Sequence, residues 1–135
     1  MLLSWTPNMS VGVAVFDEDH KRIVDLINEL HDAIDAGHGH KALGAVIDNL
    51  LDYACTHCRR EEALFDQTGY PETAEHKKEH DAFYATAAGM KERFKSEANS
   101  RFAIEVMNYM YGWLVNHIQG SDKLYAPHLN AAGIH

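Results

Sequence analysis

Five histidines and two carboxylates in this 135-residue chain fall at spacings that can converge on metal ions: His20, His57 with Glu61, His76 with His80, and His117 with Asp122. Two of these groups are i, i+4 pairs, which project from one face of an α-helix and offer two donor atoms to one site. Imidazole nitrogens mixed with carboxylate oxygens suit borderline metals such as iron, whereas calcium and magnesium prefer oxygen ligands. The set is suited to a pair of such metals.

Helices must position these donors. The clearest pattern is Leu43, Ile47, Leu50, Ala54, His57, Glu61 and Leu64, which alternates by four and three. His57 and Glu61 therefore hold positions that a core stripe would otherwise give to leucine. A third segment repeats the period with His76, His80, Phe83, Ala87, Met90 and Phe94. Ahead of both, Asp17 is the expected N-cap of a first helix carrying Ile23, Val24, Ile27, Leu30 and Ile34, which Gly37-His38-Gly39 ends. A fourth helix turns Phe102, Val106, Tyr109, Trp113 and His117 inward, with Met110 and Leu114 beside them. Thr68-Gly69-Tyr70-Pro71 breaks the chain, with Pro71 suited to the next helix's first turn, and Ser96 to Ser100 makes a polar turn.

These elements predict a single all-α domain over 1–135, an antiparallel up-down-up-down four-helix bundle. Its parts are an extended N-terminal arm (1–16), the bundle proper (17–119) and a C-terminal segment (120–135). Trp5, Met9, Val11 and Val13 are expected to pack the arm down, and Leu124, Tyr125 and Leu129 to cap the bundle end. In antiparallel order the ligand groups near the starts of helices one and three and the ends of helices two and four meet at the same end.

Asp122 alone is out of phase: five residues after His117, it would point about 140° away on a regular helix. The intervening Gly120-Ser121 predicts an unwound or bulged turn that swings it back inward. Burying this many imidazoles and carboxylates without metal would leave unpaired polar groups at a cost of several kcal/mol. His31, His38, His40, His128 and His135 are assigned to the surface or to ordinary hydrogen bonds, and Glu62, Glu75 and Glu79, off the stripes, to solvent.

The bulk properties narrow the function. The length and a 46% apolar share allow one domain with its own core and no disulfide staples. A formal charge of −8 argues against nucleic acid or an anionic membrane as partner. With no basic, apolar leader at the start and no membrane-length apolar run, a cytoplasmic protein is expected. Cys55 and Cys58 bracket His57 as a CxxC. A redox CxxC normally opens a helix after a strand, and this one lies mid-helix, so free thiols are expected before a redox pair or a metal role.

The Trp5-containing arm, Asp17-Glu18-Asp19-His20-Lys21, His57 with Glu61-Glu62, His76-Lys77-Lys78-Glu79-His80-Asp81, and Trp113-Leu114 leading into His117-Ile118 and Asp122 together resemble the hemerythrin family. The likeness is to its single-domain bacterial members and runs over nearly the whole chain. It implies a non-haem di-iron centre with one iron on His76, His80 and His117. The other iron would take His20 and His57 and keep an open position, and Glu61 and Asp122 would bridge both beside an oxo or hydroxo group. Trp113, Leu114, Ile118 and Tyr125 match family residues that line the oxygen pocket or flank the bridge. Cys58 departs from the family, which commonly has Phe directly after the second-helix histidine. A smaller side chain there implies a roomier or wetter pocket, or a thiol near the ligand.

The resemblance further implies reversible binding of dioxygen, for transport, storage or delivery, by a monomer that is not an enzyme. Di-iron oxygenases pair four carboxylates with two histidines. Five neutral imidazoles donate less negative charge and should let the reaction stop short of O–O cleavage. The alternatives are an oxygen or redox sensor, which usually carries an additional output domain, and a di-iron enzyme handling peroxide or nitric oxide. An oxygen-accepting protein partner is left open.

Overall fold

The computed structural model describes residues 2–135 and contains helices and turns, with no strand among the described residues. Four long helices, α1 (Ala14–Asp35), α2 (Gly39–Thr68), α3 (Thr73–Phe94) and α4 (Ser100–Trp113), form the bundle. A π-helical turn (Leu114–Ile118), a 3₁₀ turn (Ser121–Tyr125) and a short α5 (Ala126–Ala131) follow. Short connections between long helices make sequence neighbours antiparallel. α2 packs along both α1 and α3, and α4 returns along α1 and α2. This is the four-helix bundle that the periodicity predicts. No described helix is long and apolar enough to cross a membrane.

Helix ends depart from the sequence expectation in two places. α1 starts at Ala14 rather than after Asp17, with Val13 in extended conformation before it and no side-chain cap. Asp17 sits inside the first turn and reaches back to the arm. Ser10 Oγ donates to its Oδ2 at 2.6 Å and the Val11 amide to its Oδ1 at 2.8 Å. A carboxylate in the first turn also complements the helix dipole. Pro71 lies in the turn ahead of α3, which begins at Thr73. Gly69, at φ 68°, ends α2 in the left-handed conformation that glycine tolerates, and Asn99 caps α4 by accepting from the Phe102 amide at 2.9 Å.

The apolar stripes meet in one core. Ile23, Ile27 and Leu30 of α1 pack with Leu43, Ile47 and Leu50 of α2, Phe83 and Ala87 of α3, and Phe102, Val106 and Met110 of α4. Burying each large side chain contributes about 1.5–3 kcal/mol relative to leaving it in water. A second apolar cluster closes one end of the bundle: Val11, Val13, Phe16, Phe65, Tyr70, Tyr125 and Leu129. The arm is packed down as predicted at Met9, Val11 and Val13, while Trp5 is half-buried with the Lys21 ammonium 5.5 Å from its ring centre. Met1, the first residue of that arm, lies outside the described residues. Tyr125 and Leu129 cap the end, but Leu124 points to solvent at 67% exposure. Leu64 is only half-buried, because the helical phase hands its expected place to the fully buried Phe65.

Candidate metal centre

The polar layer lies between the two apolar clusters. His20 comes from α1, His57 and Glu61 from α2, His76 and His80 from α3, His117 from the π turn and Asp122 from the 3₁₀ turn, and all seven are buried. The structure thus brings together every residue that the spacing singles out as a donor. The last two meet through a local irregularity. In the π turn the Gln119 amide donates to Leu114 O at 2.9 Å, five residues back, and widens the helix at His117. Gly120 then lets the chain turn sharply, since a Cβ there would collide with the Asn116 carbonyl. Asp122 follows, wholly buried, as the expected bulge requires.

The donor atoms fall into two sets that share the carboxylates: Glu61, His76, His80, His117 and Asp122, and then His20, His57, Glu61 and Asp122. Each carboxylate divides its oxygens between the sets. Glu61 Oε1 is 3.2 Å from His76 Nε2 and 3.1 Å from His80 Nε2, while its Oε2 is 3.1 Å from His57 Nε2 and 3.6 Å from His20 Nε2. Asp122 Oδ1 is 2.8 Å from His76 Nε2 and 3.0 Å from His117 Nε2, while its Oδ2 is 3.1 Å from His20 Nε2.

These contacts fit metal ligands better than hydrogen bonds. His80 Nε2, His117 Nε2 and both Asp122 oxygens are buried and complete no hydrogen bond, despite neighbours near 3 Å. His20 Nε2 and His57 Nε2 also face each other at 3.0 Å. Metal–ligand bonds of about 2.1 Å at right angles put adjacent donors about 3 Å apart. Atoms spaced this way and aimed past one another share a common focus.

A further ring of carboxylates orients the imidazoles. Because a carboxylate only accepts, the Nδ1–H of His57 donates to Asp19 Oδ2 at 2.8 Å, that of His80 to Glu62 Oε2 at 2.8 Å, and that of His117 to Glu79 Oε1 at 3.2 Å. Each bond leaves Nε2 as the free lone pair facing the centre. Ser121 Oγ donates to Glu79 at 2.7 Å, and Arg60 lies 3.1 Å from Asp19. This corrects the assignment of Glu62 and Glu79 to solvent: both are partly exposed, yet each braces a histidine. Glu75 is at the surface, paired with Lys78. The missed signal was a carboxylate adjacent to a ligand position on the same helix, as in Asp19-His20, Glu61-Glu62 and Glu79-His80. Among the histidines assigned elsewhere, His128 is half-buried and lies 2.9 Å from the Thr68 carbonyl.

Electrostatics follow from burying this many ionisable groups without a cation. Burial pulls the His20 and His76 pKa values down, but the Asp122 and Glu61 carboxylates beside them outweigh it and raise them to about 10 and about 9. Burial and the neighbouring Glu61 charge push Asp122 up, yet His117 and His20 hold it well below the carboxylate range. Glu61 is held low in the same way, against burial, by His57 and His20. Protons partly fill the role of cations in the metal-free form.

Aromatic rings enclose the layer. Trp113 stacks on His117 at 3.8 Å and Tyr53 on His57 at 4.8 Å, while Phe65 meets His76 edge-on at 4.9 Å. The five expected pocket residues are all buried but on two sides. Cys58, Trp113, Leu114 and Ile118 belong to the bundle core, and Tyr125 to the end cluster, where its hydroxyl donates to Glu61 Oε2 at 2.6 Å.

A four-helix bundle with a buried histidine–carboxylate layer defines a metal-binding helical protein. The sequence model of the hemerythrin HHE cation-binding domain matches residues 11–129. The chain belongs to the hemerythrin family. It is 36% identical to a bacteriohemerythrin of Stenotrophomonas maltophilia, over 96% of this chain and 83% of that protein. To a bacteriohemerythrin of Methylococcus capsulatus it is 35% identical, over 96% of this chain and 98% of that one. A crystal structure of wild-type hemerythrin superposes with a TM-score of 0.81 at 34% identity, covering 96% of this chain and 98% of the other.

Proposed function

We propose that this chain holds two irons in its buried layer and binds dioxygen reversibly, for transport, storage or delivery. The observation that carries the reading is the division of Glu61 and Asp122 between two donor sets of unequal size. His76, His80 and His117 would serve one iron and His20 and His57 the other, with both carboxylates common to the pair. Adjacent irons would supply paired one-electron centres, which allow dioxygen to be taken up and released.

The remaining residues have supporting parts. Leu114, Ile118, Cys58 and Trp113 form an apolar wall on the bundle side, which keeps water from the ligand. Tyr125 fixes Glu61 through its hydroxyl. Five neutral imidazoles moderate the reducing power that a carboxylate-rich site would have, which favours binding over oxidation of a substrate. The names of the curated relatives, bacteriohemerythrins, support the same reading.

The test is anaerobic reduction followed by air, watched by visible absorption with iron quantified. Two irons per chain, one for each donor set, and a spectrum that reverses when oxygen is removed are expected. A single zinc per chain in protein from iron-replete cells, or irreversible oxidation without an oxygenated spectrum, would overturn the proposal.

A further inference from the structure

Two fully buried phenols flank the metal layer, and only one has its hydroxyl bonded. Tyr125, on the end-cluster side, donates to Glu61. Tyr53, on the bundle side, completes no hydrogen bond at its hydroxyl, and neither does Trp113 at its indole nitrogen. Tyr53 is 0% exposed and Trp113 9%. Both belong to the same core cluster, and they close no hydrogen bond to each other.

A buried hydroxyl without a partner destabilises a fold, and phenylalanine would fill the same ring space without that cost. The hydroxyl therefore calls for a partner that no described residue supplies. Its surroundings indicate where the partner belongs. The Tyr53 ring lies over His57 at 21° between planes and meets Phe83 edge-on at 5.7 Å. Phe83 leans on Trp113 at 4.3 Å, and Trp113 covers His117. The two uncommitted donors thus stand on the bundle-core side of the layer, Tyr53 against the two-histidine set and Trp113 against the three-histidine set. A phenol keeps its proton at neutral pH and can donate it toward an anion.

We infer that the Tyr53 hydroxyl is the hydrogen-bond donor to the small ligand taken at the two-histidine set, with the Trp113 N–H supporting it. The ligand class is one that places negative charge on an atom directed away from the metals: dioxygen as it gains electron density, or a small linear anion. The inference rests on the proposed di-iron site and adds a polar element to an otherwise apolar wall. It makes the pocket select for ligands that accept a hydrogen bond over neutral ligands of equal size.

Azide added to the oxidised, iron-loaded full-length protein is the probe. Tyr53→Phe should keep its two irons and, when stripped of metal, melt at or above the wild-type temperature. Its azide dissociation constant should rise roughly tenfold, the loss of one hydrogen bond to a charged acceptor, and the infrared band of bound azide should move. Without any substitution, transfer of the wild type to deuterium oxide should shift that band, because the accepted proton exchanges. An unshifted band in deuterium oxide overturns the inference. So does a Tyr53→Phe protein that binds azide as tightly as wild type, or one that melts lower with its azide band unchanged, which marks a purely structural hydroxyl. If wild-type protein with two irons binds neither azide nor dioxygen, the proposed function itself fails, a result distinct from all of these.

Discussion

The two donor sets share their carboxylates but are built differently. His76, His80 and His117 bring three nitrogens, and two of these rings are braced from outside by Glu62 and Glu79. The other set has two nitrogens. His57 is braced by Asp19, but the buried Nδ1 of His20 has no hydrogen-bond partner among the described residues. An ion in the first set has five protein donors, and an ion in the second has four. Crowded, braced donors suit a metal that only has to stay; sparse donors leave room for a ligand. Under the proposed function, coordination number, set by one extra histidine, would separate holding from binding.

The largest effect tests whether the sets really share their anions. Glu61→Ala and Asp122→Ala each remove one oxygen from both sets, so iron should fall from two per chain to near none, and helical stability should fall with it. His20→Ala touches only the smaller set and should leave one ion bound. Elemental analysis of gel-filtered protein checks both. Two irons retained in Glu61→Ala would show that the sets are independent.

Metal removal comes next. Chelated protein should melt below the iron-loaded form, and its stability should vary with pH with a definite sign. Against the pull of burial, Asp122 and Glu61 raise His20 to about 10 and His76 to about 9, from 6.5 in the unfolded chain. That contribution is fully present below about 6.5 and is lost as pH rises through 9 to 10. The carboxylates work in the opposite sense. Glu61 and Asp122 are held low, so their contribution is present above about pH 4 and is lost as acid protonates them. Denaturation midpoints of the metal-free protein should therefore peak in the neutral range and drop in alkali. A flat alkaline limb would mean that His20 and His76 are neutral in the folded protein.

The outer carboxylates should have intermediate effects that divide by set. Glu62→Gln and Glu79→Gln loosen His80 and His117, and Asp19→Asn loosens His57. Loss of such a brace typically costs roughly 10–100-fold in metal affinity. Titration with a competing chelator should show the first two weakening one ion and the third weakening the other. Equal weakening of both ions by all three would dissolve the distinction between the sets.

What the sequence made legible, and what it hid, follows the same geometry. His57 and Glu61 stood out because they replaced leucines in a strict alternation of four and three, a signal carried by one helix alone. Asp122 was legible only jointly with Gly120-Ser121, since its phase was wrong for any regular helix. Asp19, Glu62 and Glu79 were hidden because they sit off the inward stripe and act across helices, on His57, His80 and His117. Periodicity reports which way a residue faces, not what its tip reaches from the flank. The start of α1 was misplaced because Val13 and Ala14 carry no capping signal and Asp17 carries a strong one, which the fold uses to tie down the arm.

The smallest expected effect concerns Cys58, next to His57 in the less crowded set. Burial first, then the charges of Glu61 and Asp122, push its thiol far above the usual range, so it stays neutral and packs as a small apolar group. Oxidation of the oxygenated protein requires a proton or an anion to reach the ligand, so its rate should follow water access. Cys58→Phe adds volume and an apolar wall and should slow that oxidation severalfold, provided the ring packs without strain; overpacking a dense core costs about 1–3 kcal/mol. Cys58→Ser, similar in size but able to hold a water, should speed it. Cys55 is exposed, so Cys55→Ser should leave the rate unchanged. The decay of the oxygenated spectrum in air measures all three. If only Cys55→Ser alters it, thiol chemistry of the CxxC governs the lifetime rather than hydration of the pocket, and the two-histidine set is distinguished by its redox neighbour instead of by its open space.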